Sequence, residues 1–152
     1  MKTDTIVLYV FSKYDNIKRL KEFVEHYYKY DSGYKHKLII CYKLIKDSEI
    51  KNYRLITSKL KHDEFIDKYE INDFEFMSMY RAIKKYRNYK ILFLNSHAYP
   101  AKKNWLRLIN SKYSKNSFIG FSGSNESMFS SLKFKKKYRL IRNLYHYYYF
   151  KY

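Results

Sequence analysis

At 152 residues and 46% hydrophobic content, the chain is the size of a single domain and holds enough apolar material to bury a core, which excludes a disordered chain. One cysteine, Cys41, excludes an internal disulfide and fits a reducing compartment. The formal net charge of +18 points to anionic partners. Residues 6–11 form a continuous apolar run suited to a buried parallel strand, and at six residues the run is too short for a secretory h-region. Asp15 or Asn16 then caps a helix in which Ile17, Leu20, Phe23, Val24 and Tyr27 recur at helical spacing, and Asp31-Ser32-Gly33 ends it in a turn. Residues 38–42 read as the second strand. Residues 50–60 read as a weak helix, followed by a short strand near Phe65. Phe76, Met77, Tyr80 and Ile83 mark a third helix ending near Asn88, and residues 91–94 form the next strand. Pro100 is expected to open a helix with Trp105, Leu106 and Ile109 inward. Residues 117–121 read as a further strand, and the chain from Glu126 is helical in pattern. This alternation predicts a mainly parallel sheet with right-handed crossovers, in which 6–11, 38–42 and 91–94 are adjacent and central. No apolar stretch approaches the roughly 18–20 residues of a membrane span.

The charge is unevenly placed. Lysine supplies 25 of the 32 basic residues, tyrosine is abundant at 20, and glycine and alanine number three each, the usage an AT-rich genome would impose. Codon usage does not explain the asymmetry between the halves. Residues 1–75 hold 15 basic and 13 acidic residues, whereas 76–152 hold 17 basic residues and one acid, Glu126. A one-sided basic surface attracts phosphates, nucleic acid or anionic lipid headgroups.

The most informative stretch is ILFLNSHAYP, residues 91–100. A short apolar strand stops in Asn95-Ser96-His97, and in open α/β sheets ligands bind where strands end at their carboxyl edge. This pattern, with the Asn104-Trp105-Leu106 that follows, resembles the nucleotide-sugar-binding half of family 2-type glycosyltransferases of the A-type fold. The resemblance spans roughly residues 6–131 and implies a Rossmann-like three-layer α/β sandwich. In that family the strand ends in D-x-D, and the carboxylates hold a divalent Mg or Mn on the sugar diphosphate. Asn95 and His97 stand in those two places here. Asparagine is a poor replacement for a carboxylate on a hard cation, so His97 is the one remaining metal-ligand candidate. The segment Asn72-Asp73-Phe74-Glu75 resembles the family's N-x-G-x-D, and Asn72 and Glu75 also have capping-box spacing. The resemblance places Tyr9, Phe11, Ser12, Asn72, Asp73, Glu75, Asn95, Ser96 and His97 around a nucleotide-sugar, converging on one cleft. Lys102, Lys103 and His97 are expected to neutralise the leaving diphosphate in place of a metal.

Two further segments are candidates. Residues 120–126 form a glycine-rich turn able to present backbone N–H groups to an anion, though without Walker or dinucleotide-fingerprint spacing. The resemblance places this turn near the acceptor, with Glu126 as the catalytic base. Residues 132–152 combine Lys133, Lys135, Lys136, Lys137 and Arg139 with an apolar stripe of Leu140, Ile141, Leu144, Tyr145 and Tyr148. That is the composition of a helix docking on an anionic membrane, and equally of a helix packed on its own domain. The five histidines lack metal-site spacing. The expectation is therefore a nucleotide-sugar-binding domain over 1–131 and a basic aromatic helix beyond it. Such a domain would serve transfer to a polysaccharide or lipid-linked glycan acceptor, in the cytoplasm or peripherally on the inner face of the membrane. A truncated, non-catalytic form without the acceptor half is one alternative. The other is a basic nucleic-acid-binding module, in which lysines contact phosphate and tyrosines stack on bases.

Overall fold

The structure is a computed structural model that describes residues 4–68 and 74–114. The described residues up to Lys112 form one compact unit. The element order is β1 (Thr5–Ser12), α1 (Ile17–Lys29), β2 (Lys37–Lys43), α2 (Asp47–Thr57), β3 (Asp63–Asp67), α3 (Phe74–Lys85), β4 (Lys90–Leu94) and α4 (Trp105–Asn110). All strand pairs are parallel and the order is β3-β2-β1-β4. The chain moves outward from β1 through β2 to β3, then returns across the sheet to place β4 on the other side of β1. Right-handed crossovers require the returning helix to lie on the opposite face from the outgoing ones, and the packing has that form.

Strand alternation divides the core in two. Val7, Tyr9 and Phe11 of β1 and Leu38, Ile40 and Tyr42 of β2 face one layer, packed against Leu20, Phe23 and Val24 of α1, Ile50 of α2 and Trp105 and Leu106 of α4. Ile6, Leu8, Val10, Ile39 and Cys41 face the other layer and meet Ala82 of α3. β1 and β2 are apolar on both faces because both faces are covered. β4 is beside β1, as expected, but it is not central. It is the last strand on its side among the described residues and only half-buried, because no described strand lies beyond it.

α2 is a full helix despite its weak apolar pattern. Asp47 and Glu49 in its first turn complement the helix dipole, and Arg54 holds Glu64 of β3 through a two-pronged contact of 2.7 and 2.9 Å. Pro100 does not open a helix. Helix α4 begins five residues later, after Asn104, which sits at φ 59°. The intervening chain is held to α1 instead. Ser96 Oγ donates to Asp15 Oδ1 beside the start of α1 (2.7 Å). Pro100 O lies 2.9 Å from Nδ1 of His26 in the middle of the helix. Asn104 N donates to Asp31 O beyond its end (2.8 Å). A helix of 13 residues is about 20 Å long, a span that this loop covers when extended. Gly33, at φ 66°, permits the docking, since a Cβ there would collide with the Asn104 side chain.

No helix among the described residues is long and apolar enough to cross a membrane. Asn72, Asp73, the turn at 120–126 with Glu126, the strand expected at 117–121 and the basic segment 132–152 lie outside the described residues.

Candidate functional site

The strand order reverses at β1, which sets the carboxyl ends of β1 and β4 side by side at a topological switch point, although the loop leaving β4 runs along α1 on the α1/α2 face. Three residues in register end the first three strands: Ser12, Lys43 and Asp67. All three are buried, and by alternation they share the α3 face. Asp67 Oδ2 accepts from Arg81 Nη2 at 2.6 Å and from Ser78 Oγ at 2.5 Å, both on α3. Lys43 Nζ donates to Ser78 Oγ at 3.0 Å and lies 3.9 Å from Asp67. A buried lysine is tolerated here because a carboxylate and a hydroxyl meet its ammonium. Lys43 is followed by Leu44 in the left-handed region (φ 58°), held by its N–H to Asp67 O at 2.9 Å.

Asp15 organises the switch itself. Its Oδ2 accepts from Ser12 N (2.7 Å) and its Oδ1 from Ser96 Oγ (2.7 Å), so one carboxylate fastens the end of β1 to the loop after β4. Ser96 is buried as a result, while its neighbours Asn95 and His97 are exposed. Asn95 Oδ1 accepts from His97 N (3.1 Å), which closes the turn and presents the imidazole outward. Glu75, in the first turn of α3, is half-buried. Its carboxyl is held above the usual range by burial and then by the charge of Asp15, against partial relief from His97 and Lys43. Glu75, Asp15 and His97 therefore share one electrostatic neighbourhood at the carboxyl edge.

Of the sequence candidates, Ser12, Glu75, Asn95, Ser96 and His97 lie at this edge. Tyr9 and Phe11 do not present side chains to a cleft. Both are fully buried on the α1/α2 face, Tyr9 stacked on Phe23 with ring centres 3.7 Å apart and Phe11 against Tyr53. Three residues ahead of the strand end and facing a helix layer, Tyr9 is core, and its hydroxyl has no hydrogen-bond partner. Burial holds its ionisation above the usual tyrosine range. Lys103 also departs from expectation. The 95–104 loop carries it along α1 to the amino end of the sheet, where it lines a different cavity beside Trp105. Asp15 and Lys43 were missed as site residues. Asp15 reads as a cap, but Asn16 performs that role through Lys18 N (2.9 Å). Cys41 is a packing residue with its thiol pushed up to about 12 by burial.

The described residues at this edge do not fit a divalent metal. No group of three or more histidine, cysteine, aspartate or glutamate side chains is arranged to hold one among the described residues. Asn95 spends its carbonyl oxygen on its own turn, and Asp15 accepts two protein donors. No family model matches this chain, and no curated protein or solved structure matches it either.

Proposed function

We propose that this is a glycosyltransferase-like domain of the A-type fold, binding a nucleotide-activated sugar at the β1/β4 switch for transfer to a polysaccharide or glycolipid acceptor. The observation that carries the reading is the meeting of Ser12, Asp15 and Ser96 in one hydrogen-bonded knot, with Glu75 and His97 in the same electrostatic neighbourhood. The N-terminus of α1 opens toward this edge, and the helix dipole favours phosphate there. The exposed His97 imidazole can donate to a phosphate oxygen. In the transfer, an acceptor hydroxyl oxygen bonds to the anomeric carbon, and the bond from that carbon to the diphosphate oxygen breaks with its electron pair leaving on the diphosphate. The hydroxyl proton passes to a carboxylate. Glu75 is the described side chain suited to take it, because its raised proton affinity makes it a stronger base than an ordinary glutamate.

Titration with uridine diphosphate tests the reading. Saturable binding is expected without added metal, with His97→Ala weakening it about tenfold, or about 1.4 kcal/mol. Absence of saturable binding, or an unchanged affinity in His97→Ala, removes the assignment.

A further inference from the structure

The opposite, amino-terminal edge of the sheet carries a feature that the carboxyl-edge site does not use. A cavity of about 810 Å³ lies among the end of α1, the start of β2, the loop between α2 and β3, and the start of α4. Six lysines line it: Lys29, Lys35, Lys37, Lys59, Lys61 and Lys103. Asp31 and Asp63 are the two carboxylates among the lining residues, and Asp63 is engaged by Lys37. Tyr27, Tyr30, Tyr89 and Trp105 supply aromatic wall. His36 contributes an imidazole fixed from both sides, with Nδ1 donating to Tyr34 O at 2.7 Å and Nε2 bonded to Tyr27 Oη.

Lysines gather near helix carboxyl ends simply to balance the dipole, and α1 and α2 both end here. That balance requires little charge, since each helix end carries about half a negative charge. The lysine excess over the aspartates is larger than two helix ends can absorb. Lys35, Lys37 and Lys103 belong to no helix end, yet they converge on the same space. The volume falls within the roughly 300–1,000 Å³ of small-molecule sites. Ammonium groups take phosphate oxygens, and aromatic walls take a planar ring.

We infer that this amino-edge cavity is a second ligand site, separate from the carboxyl edge, that takes a phosphorylated small molecule of nucleotide size. Lys61, from the α2–β3 loop, and Lys103, from the chain just before α4, hold the phosphates, and the ring lies toward Trp105.

Trp105 is the single tryptophan of the chain, so its fluorescence reports on this cavity. Full-length protein is titrated with ADP, pyrophosphate and adenosine. ADP and pyrophosphate are expected to give saturable changes that weaken as salt rises, with adenosine well behind. Lys61→Gln with Lys103→Gln should lose affinity about tenfold, each single variant losing part of that, with an unchanged melting temperature because both side chains are exposed. The charge-matched pair Lys18→Gln with Lys51→Gln, outside the cavity, should stay within about twofold of wild type. His97→Ala should leave the response intact, so failure here and failure of the carboxyl-edge reading are told apart. The inference is overturned by no saturable change, by equal losses in the cavity and control pairs, or by loss of the response in His97→Ala. Oligothymidylate binding more tightly than ADP, with affinity climbing with length, would also overturn it by assigning the surface to single-stranded nucleic acid.

Discussion

The two edges of one parallel sheet are built on opposite principles. At the carboxyl edge, short side chains and carboxylates close on one another: Asp15 with Ser12 and Ser96, Asp67 with Lys43, Ser78 and Arg81. At the amino edge, long cationic side chains stand around an open cavity, and ion pairs such as Lys37–Asp63 are exposed to water. The same ionic contact therefore has different weight at the two edges. Burial removes the solvent that would otherwise heal a broken pair.

The largest expected effect tests that contrast. Asp67→Ala leaves Lys43 and Arg81 facing a buried void in their charge balance, and should cost about 3–5 kcal/mol. For a unit of this size that is a fall of well over ten degrees in melting temperature. Asp63→Ala, which breaks an exposed pair, should cost under about 1 kcal/mol. Calorimetry on the two variants checks the difference, and equal losses would show that the edges are not energetically distinct.

A smaller effect of opposite sign is expected at Tyr9. Its buried hydroxyl lacks a partner, so Tyr9→Phe removes an unmet desolvation cost and should stabilise by about 1 kcal/mol while keeping the stack on Phe23. Denaturant midpoints read this directly. A loss of stability would mean that the hydroxyl is satisfied by bound water, and would return Tyr9 to the polar edge.

The smallest effects are in pH dependence, where the edges should respond in opposite directions. Glu75 binds its proton more tightly folded than unfolded, so its contribution is fully present below the ordinary glutamate range and is lost as pH rises through the raised value. Glu75→Gln should match wild type near pH 4 and exceed it near pH 7, by about 0.5 kcal/mol or less given its exposure to solvent. His36 behaves in reverse. Burial, partly offset by the Tyr34 carbonyl and by Asp31, holds its imidazole below the usual 6.5. Its contribution is present above that value and is lost as pH falls through the lowered one, where a proton on Nε2 would displace the Tyr27 hydroxyl. Melting temperature followed from pH 4 to 8 in Glu75→Gln and His36→Gln separates the two.

Much of the fold was legible because continuous apolar runs and helical spacing are local signals. The β1, β2 and β4 runs, the strand at Phe65 and the helix around Phe23 all stand where the pattern puts them. What was illegible depended on contacts between distant residues. Pro100 looked like a helix opener, but its carbonyl bonds His26, 74 positions away, and the chain stays extended along α1. Lys43 gave no sign of burial because its partners, Asp67 and Ser78, lie on other elements. Asp15 was hidden by its neighbour, since either residue satisfies the spacing of a cap and only Asn16 takes that role. Of the candidate site, the part after β4 was visible as an abrupt polar stop, whereas the family resemblance carried Tyr9 and Phe11 into the site without regard to the two faces of their strand.

The crossing of α1 by residues 95–104 has a consequence for how the molecule breathes. A helix end normally frays by itself, releasing its amides to exchange within the last turn. Here both ends of α1 are fastened to the same strap, through Asp15 and Ser96 at one end and Asp31 and Asn104 at the other, with His26 and Pro100 between. Neither end can open far without lifting the strap, and lifting the strap uncovers Trp105. The amides of Arg19, Tyr30 and Asn104 should therefore exchange as one cooperative unit, with a common opening free energy well above that of a free helix terminus.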